Sequence, residues 1–195
     1  EIVRAGAIGE VQTVRSSFTF TVSDERNVRL QASLAGGSLM DVGCYCVSAI
    51  RHFMNAEPIE AQASAVIGAR TQVDEAFTGI LRFADERLAV FDCGFRAAFS
   101  AGYDVMGVNG RVEAPHPFNP HGQATTIFVQ RGTETEQINF PVAPAFQFMA
   151  EHFAECVLEG KPLRYGEADS LNNMRTIDAL YRAARRGRTE TVGRG

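Results

Sequence analysis

The chain has 195 residues, of which 45% are hydrophobic and 22% are charged, as in one ordinary globular domain that can bury a sizeable core. Its net charge of −4 and isoelectric point near 5.6 argue against nucleic acid or an anionic membrane as a partner. The sequence has no apolar run of about 18 residues and no charged-then-apolar leader, so we expect a soluble protein of the cytoplasm.

The first elements predicted along the chain are a helix end, a strand and a long helix. Residues 1–6 end in a glycine, which is typical of the last turn of a helix, so we expect further residues ahead of Glu1. The alternating β-branched and aromatic run over 10–22 predicts a strand, and residues 23–35 are predicted to form a polar loop. A helix is then predicted from Gly36 to about Phe53, ended by the residues at 55–58.

The rest of the chain predicts short strands followed by two helices. Alternating segments of strand length lie at 59–67, 76–83, 88–95, 103–108, 111–113, 125–130 and 134–140. Turns or loops are predicted at 84–87, 109–110, 115–120 and 131–133. The two closing helices are predicted at 146–158 and 167–186.

This order of elements predicts an α+β fold, with an open, largely antiparallel β-sheet and helices on one face. The sequence has no GxGxxG between a strand and a helix, and no alternating βαβ pattern. We therefore predict that residues 1–195 form a single domain and that the chain lacks the Rossmann domain that binds dinucleotides.

The four cysteines predict no metal site. Cys44, Cys46, Cys93 and Cys156 form no CxxC pair and have no zinc-ligand spacing. We expect free, mostly buried thiols in a reducing compartment.

The most informative segment spans residues 36–52 and reads GGSLMDVGCYCVSAIRH. On a helix, Asp41 and Tyr45 are neighbours at i and i+4, with His52 continuing the same face. A carboxylate beside a phenol can orient a substrate hydroxyl and exchange its proton, and glycines such as Gly37 allow a ligand to approach closely. The alternative is that Asp41 caps the helix, that Tyr45 is a half-buried core residue, and that His52 is an ordinary core histidine.

Residues 36–45 resemble the signature of the Gfo/Idh/MocA oxidoreductase family. In that family Gly-Gly-x-Leu-x-Asp-x-Gly begins a helix, and a Tyr or His four residues after the Asp faces the nicotinamide. The resemblance implies that Asp41 and Tyr45 are catalytic, with Asp41 orienting a hydroxyl and Tyr45 acting as acid or base. It also implies that Gly37 and Tyr45 contact the cofactor. The tyrosine is more similar to the dihydrodiol dehydrogenase and glucose–fructose oxidoreductase branch than to the inositol dehydrogenases, which carry His.

Further segments resemble the family in the same order along the chain, at 6–11, 28–30, 108–113, 153–162 and 169–184. Arg29 resembles the family's substrate-pocket arginine, which could bind a hydroxyl-rich or anionic substrate; a plain surface arginine is the alternative. His116 and His121 lie in the proline-rich loop and are candidates to line the substrate pocket; their spacing matches no metal site, and the sequence favours the alternative that both simply decorate the loop.

The resemblance implies a function for the whole chain. It would be the C-terminal substrate-binding and dimerisation domain of an oxidoreductase that transfers a hydride between NAD or NADP and a sugar, polyol or trans-dihydrodiol. An N-terminal Rossmann domain would bind most of the cofactor, and strands 76–95 would form a homo-oligomer through the sheet face. The alternatives are a non-catalytic ligand-sensing or scaffold protein of the same fold, and an NAD-dependent glycosidase.

The sequence lacks the lysine that assists the tyrosine in this family. A tyrosine phenol has an ordinary pKa of about 10, so acting as a base near pH 7 requires roughly 4 kcal/mol from its surroundings, usually from an ammonium group. The family supplies that lysine from a Glu-Lys-Pro motif in the cofactor domain, whereas the single lysine here, Lys161, lies in a predicted turn. We therefore predict that the 195-residue chain alone is inactive.

Overall fold

The computed structural model describes residues 1–118 and 122–193 and confirms the predicted α+β fold. The strands are β1 Val11–Thr19, β2 Glu60–Ile67, β3 Asp74–Arg82, β4 Leu88–Gly94, β5 Ser100–Gly107, β6 Gly110–Ala114, β7 Thr125–Arg131, β8 Glu134–Phe140 and β9 Glu190–Thr191. The α-helices are α1 Cys44–Met54, α2 Ala145–Glu159 and α3 Glu167–Arg186. The described elements contain no Rossmann unit.

All nine strands belong to one sheet, in the order β8-β7-β6-β5-β1-β4-β3-β2-β9. The predicted turns at 84–87, 109–110 and 131–133 are confirmed as the antiparallel hairpins β3/β4, β5/β6 and β7/β8. Strand β1 pairs in parallel with β4 and antiparallel with β5. The first strand of the chain therefore joins two antiparallel halves of the sheet.

The core lies between one face of the sheet and the helices. Helix α1 packs on β1, and α3 packs on β2. Phe77 of β3 and Phe91 of β4 are buried beneath them, and burying a side chain of this size stabilises the fold by about 1.5 to 3 kcal/mol. Because side chains alternate along a strand, Ile80 and Val90 point to the opposite face, which no described helix covers.

The long helix predicted over 36–53 is corrected by the structure. A π-helical turn, Leu39–Gly43, precedes α1, and a π-turn of this kind is common at functional sites. Gly43 allows the turn to lie close to β4, because a Cβ there would sit 2.7 Å from the Cys93 sulfur. The polar loop predicted over 23–35 also contains two short 3₁₀ turns, Val28–Leu30 and Ala32–Leu34.

The segment Ala32–Met54 is long and apolar enough to cross a membrane by length and composition alone, a feature that the sequence reading missed. In the fold this segment packs against the sheet, and its residues Leu39, Val47 and Ile50 are fully buried. A core helix passes the same test of length and composition, so the segment is weak evidence for a membrane span.

Candidate active site

A buried carboxylate fixes the start of the motif segment. Asp74, at the beginning of β3, accepts hydrogen bonds from the Ser38 hydroxyl at 2.9 Å and from the Leu39 backbone N–H at 2.7 Å. The Tyr181 hydroxyl of α3 donates to its other oxygen at 3.2 Å. Burial raises the pKa of the Asp74 carboxyl, and these hydrogen bonds counter the rise. The turn that leads to Asp41 is thereby tied to β3 and α3.

Asp74 also explains Gly37. Gly37 is buried with φ of +125°, and a Cβ at this position would collide with the Asp74 carboxylate. The glycine is therefore required by the packing of the protein itself, and contact between Gly37 and a cofactor stays a prediction.

The structure brings Arg29 and Asp41 together. The Arg29 Nε donates to Asp41 Oδ2 at 2.7 Å, and both side chains are partly exposed. The Asn27 side chain caps the short turn that carries Arg29, and the guanidinium lies 5.7 Å from the ring centre of Phe20, which is a cation–π distance. The Asp41 carboxylate thus binds Arg29 and not the Tyr45 phenol, which the i and i+4 spacing had suggested as its partner.

Tyr45 stands half-exposed in a cluster of phenylalanines. Its side chain is 52% exposed, so the alternative of an ordinary core residue is not favoured. The ring centres of Phe18 and Phe118 each lie 5.9 Å from that of Tyr45, and these two phenylalanines stack on each other at 5.4 Å. Phe99 meets Phe18 edge to face at 6.5 Å. We call Phe18, Phe99 and Phe118 the aromatic wall.

The thiols beside Tyr45 are poor nucleophiles. Burial raises the pKa of Cys44 to about 11, with a further contribution from Asp41, and raises the pKa of Cys46 to about 12. Both remain protonated at neutral pH, whereas thiol chemistry requires the thiolate. The two cysteines are therefore poor candidates for the chemistry of this surface, and the acid or base role of Tyr45 stays a prediction.

His116 lies at the edge of the aromatic wall. Its ring stacks on Phe99 with centres 5.9 Å apart, and it borders a cleft of about 1220 Å³ that also contacts His52 and Tyr103. Arg29, Asp41 and Tyr45 do not border this cleft, and all three are at least partly exposed. His116 is therefore placed near the site, whereas His121 lies outside the described residues.

Several contributors to this surface were missed by the sequence reading. Phe18, Phe99, Phe118 and Asp74 come from β1, from two loops and from β3. The alternation of aromatic residues in the first strand was a signal for Phe18, but the sequence carried no signal that this strand and two distant loops would come together to form the aromatic wall. A hydroxyl-bearing substrate could be bound here by an acidic and a basic group, a phenol and an apolar wall.

Comparison with known proteins gives the relatives of the chain. Residues 1–113 match the model of the GFO/IDH/MocA C-terminal domain. The D-xylose 1-dehydrogenase (NADP(+)) 2 of Haloferax volcanii is 34% identical over 189 residues, which are 94% of this chain and 57% of that protein. The trans-1,2-dihydrobenzene-1,2-diol dehydrogenase of Danio rerio is 31% identical over 87% of this chain and 52% of its own length.

Solved structures agree with these relatives. The aldose-aldose oxidoreductase from Caulobacter crescentus, complexed with glycerol, is 31% identical with a TM-score of 0.88, over 97% of this chain and 58% of that one. The 3-ketoreductase KijD10 from Actinomadura kijaniata, in complex with NADP and TDP-benzene, is 26% identical with a TM-score of 0.86, over 93% of this chain and 56% of that one. The chain thus spans a little over half the length of these proteins, and it belongs to the Gfo/Idh/MocA family, whose C-terminal domain it matches.

Proposed function

We propose that this chain is the substrate-side domain of an NADP-dependent oxidoreductase that transfers a hydride to or from a sugar, polyol or trans-dihydrodiol. The names of the relatives support NADP and the sugar or dihydrodiol in this proposal: one dehydrogenase is named for D-xylose and NADP(+), and another for a benzene dihydrodiol. Because these proteins are nearly twice as long as this chain, the proposal includes a second domain that holds most of the dinucleotide.

The observation that carries the proposal is the half-exposed phenol of Tyr45, which lies beside the stacked rings of Phe18 and Phe118 and follows the Arg29–Asp41 pair along the chain. In this proposal the ionised phenol of Tyr45 takes the proton of a substrate hydroxyl as the carbon that bears this hydroxyl gives up its hydride, and in the reverse direction the neutral phenol returns the proton. Arg29 and Asp41 bind a neighbouring hydroxyl and so fix which carbon reacts.

The aromatic wall narrows the proposed substrates. A phenylalanine face binds the apolar face of a ring better than it binds a flexible polar chain. The wall therefore favours a cyclic substrate, either the closed form of a sugar or a dihydroarene, over an acyclic polyol.

The residues fit a nicotinamide as the second reactant. When bound, this ring supplies the acceptor or donor of the hydride. The half-exposed rings of Tyr45 and Phe99 offer apolar surface to such a ring, and the polar groups of the site remain free to hold the substrate.

The proposal is tested on the gene product isolated from its source, with aldoses, acyclic polyols and a trans-dihydrodiol, and with each nicotinamide. We expect NADP-dependent turnover of a cyclic substrate, and we expect Tyr45→Phe to lower kcat by at least about 100-fold. Tyr165→Phe, which removes an equally exposed phenol outside the site, should leave kcat unchanged. Full turnover by the Tyr45→Phe protein would overturn the role proposed for Tyr45. NADP binding without turnover of any of these substrates by the unsubstituted protein would favour the ligand-sensing alternative, while turnover by the 195-residue chain alone would contradict the predicted inactivity.

We further propose that the protein is a homo-oligomer joined through the open face of the sheet. Ile80 and Val90 lie opposite each other on β3 and β4, with Leu88 beside them, and all three are partly or well exposed.

We also propose that the protein resides in the cytoplasm, because all four cysteines are free and a reducing compartment keeps them free.

A further inference from the structure

Helix α2 carries an apolar stripe that faces solvent. Phe146, Met149, Phe153 and Val157 follow each other at helical spacing on one side of the helix, and each is 61% to 66% exposed. None of the residues of α2 is buried. Monomeric proteins rarely expose such a contiguous apolar surface, so the stripe indicates a contact surface.

Polar contacts join α2 to the turn that follows it without burying this stripe. The His152 side chain accepts a hydrogen bond from the Arg164 backbone N–H at 3.1 Å, and Lys161 pairs with Glu155 and Glu159 at 3.1 and 2.9 Å. These contacts fold the following turn back on α2. No described strand or other helix packs extensively against α2, so the fold of this chain leaves the stripe uncovered.

Both ends of α2 lead to the cleft on the helix side of the sheet. Phe140, just before the helix, borders this cleft together with residues 1–4 and His52. Tyr165, just after the helix, lies 6.4 Å from the ring of His52. The beginning of the chain and the connections of α2 therefore meet on one side of the molecule, opposite the open sheet face.

We propose that the stripe of α2 is the surface against which the dinucleotide-binding domain packs, and we call it the domain interface. This inference rests on the proposed function, which requires such a domain, and on the relatives, in which about two fifths of the length lies outside the match. A segment joined ahead of residue 1 emerges beside the connections of α2, so it can reach the stripe without crossing the sheet. A second copy of the chain is the less suitable occupant, because the exposed apolar strand residues that would pair two copies lie on the opposite face.

The proposed domain interface is tested by amide hydrogen exchange of residues 145–159, measured in the gene product isolated from its source and in the 195-residue chain. We expect exchange to be at least about 10-fold slower in the longer product. In that product Phe153→Glu should remove the protection. Leu158→Glu, the same change at a position that is 83% exposed and lies off the stripe, should leave it intact. Both side chains are exposed, so neither change is expected to disturb the fold.

Three results would overturn the proposal: equal exchange of α2 in both proteins, a natural product of only 21.2 kDa, or protection that appears in the 195-residue chain as its concentration rises. The last result would assign the stripe to a second copy. Turnover is measured in parallel. An active enzyme in which the amides of α2 are not protected from exchange would refute the domain interface but not the proposed function. Protected α2 without NADP-dependent turnover refutes the proposed function alone.

Discussion

Asp74 illustrates how a residue outside the motif holds the motif in place. Its oxygen Oδ2 receives both the Ser38 hydroxyl and the Leu39 N–H, while Oδ1 receives the Tyr181 hydroxyl. A buried donor that loses its acceptor costs about 1 to 3 kcal/mol. The geometry therefore assigns the stabilising role to the acceptor atoms and not to the negative charge, which burial disfavours.

Two substitutions at Asp74 separate these effects. Asp74→Ala leaves the donors of Ser38 and Leu39 without an acceptor and should lower the free energy of unfolding by about 3 kcal/mol. Asp74→Asn keeps an oxygen at the Oδ2 position and can donate to the Tyr181 oxygen from the other, so its loss should stay below about 1 kcal/mol. Urea unfolding of the 195-residue chain measures both values. Equal losses would show that the charge, and not the acceptor geometry, stabilises the turn.

At the level of elements, the sequence predicted most strands and helices to within a few residues, because each follows from local alternation or helical periodicity. Strand β9, only two residues long, and the π-helical turn were missed, since neither has a periodic pattern of its own. The parallel pairing of β1 with β4 joins segments about 75 residues apart, as the register Thr13↔Leu88 shows, and local patterns carry no information on such pairing.

The same division applies to the site. Asp41, Tyr45 and Arg29 could be selected in advance because the motif lies in one continuous stretch. The aromatic wall could not, because Phe18, Phe99 and Phe118 come together only through the sheet and the loops at its end. The sequence therefore selected the polar groups of the candidate site, whose roles stay predictions, and the structure added its apolar surface.

The ends of α1 and α3 are joined by a charge network that predicts an acid-sensitive contact. Arg51 of α1, with a side chain only 4% exposed, binds Glu57 at 2.7 Å and Asp169 of α3 at 3.1 Å. The hydrogen bond from Arg51 holds the pKa of Glu57 below its ordinary value of 4.5. At pH values between the lowered pKa of Glu57 in the folded chain and its ordinary value of 4.5, the unfolded chain binds more protons than the folded chain. The contribution of Glu57 is thus fully present above pH 4.5 and is lost as the pH falls through the folded pKa.

We expect Glu57→Gln to lower the free energy of unfolding by about 1 kcal/mol at pH 7, and the difference from the unsubstituted chain to shrink as the pH falls below 4.5. Urea unfolding at pH 7 and at successively lower pH measures this. Glu25→Gln is the matched control, because Glu25 pairs with Arg70 where both side chains are well exposed and such pairs contribute little. A difference that stays constant with pH would show that Glu57 acts by packing and not by its charge.

At the scale of the whole molecule, the sheet has a covered face and an open one, and the open face predicts self-association. Ile80 and Val90 face each other across β3 and β4, and an exposed apolar pair at the centre of a sheet face is a typical core for an isologous interface.

We expect the chain to sediment as a dimer at micromolar concentration. The substitution Ile80→Arg should convert this dimer to a monomer, because it places an unpaired charge at the centre of the interface. Leu34→Arg introduces the same charge at a more exposed apolar residue away from the sheet, and should leave the dimer intact. If the unsubstituted chain sediments as a monomer, or if both variants dissociate alike, the open face is not the interface. Because the stripe of α2 lies outside this face, Phe153→Glu should leave the dimer unchanged, so that sedimentation and hydrogen exchange report on the two surfaces separately.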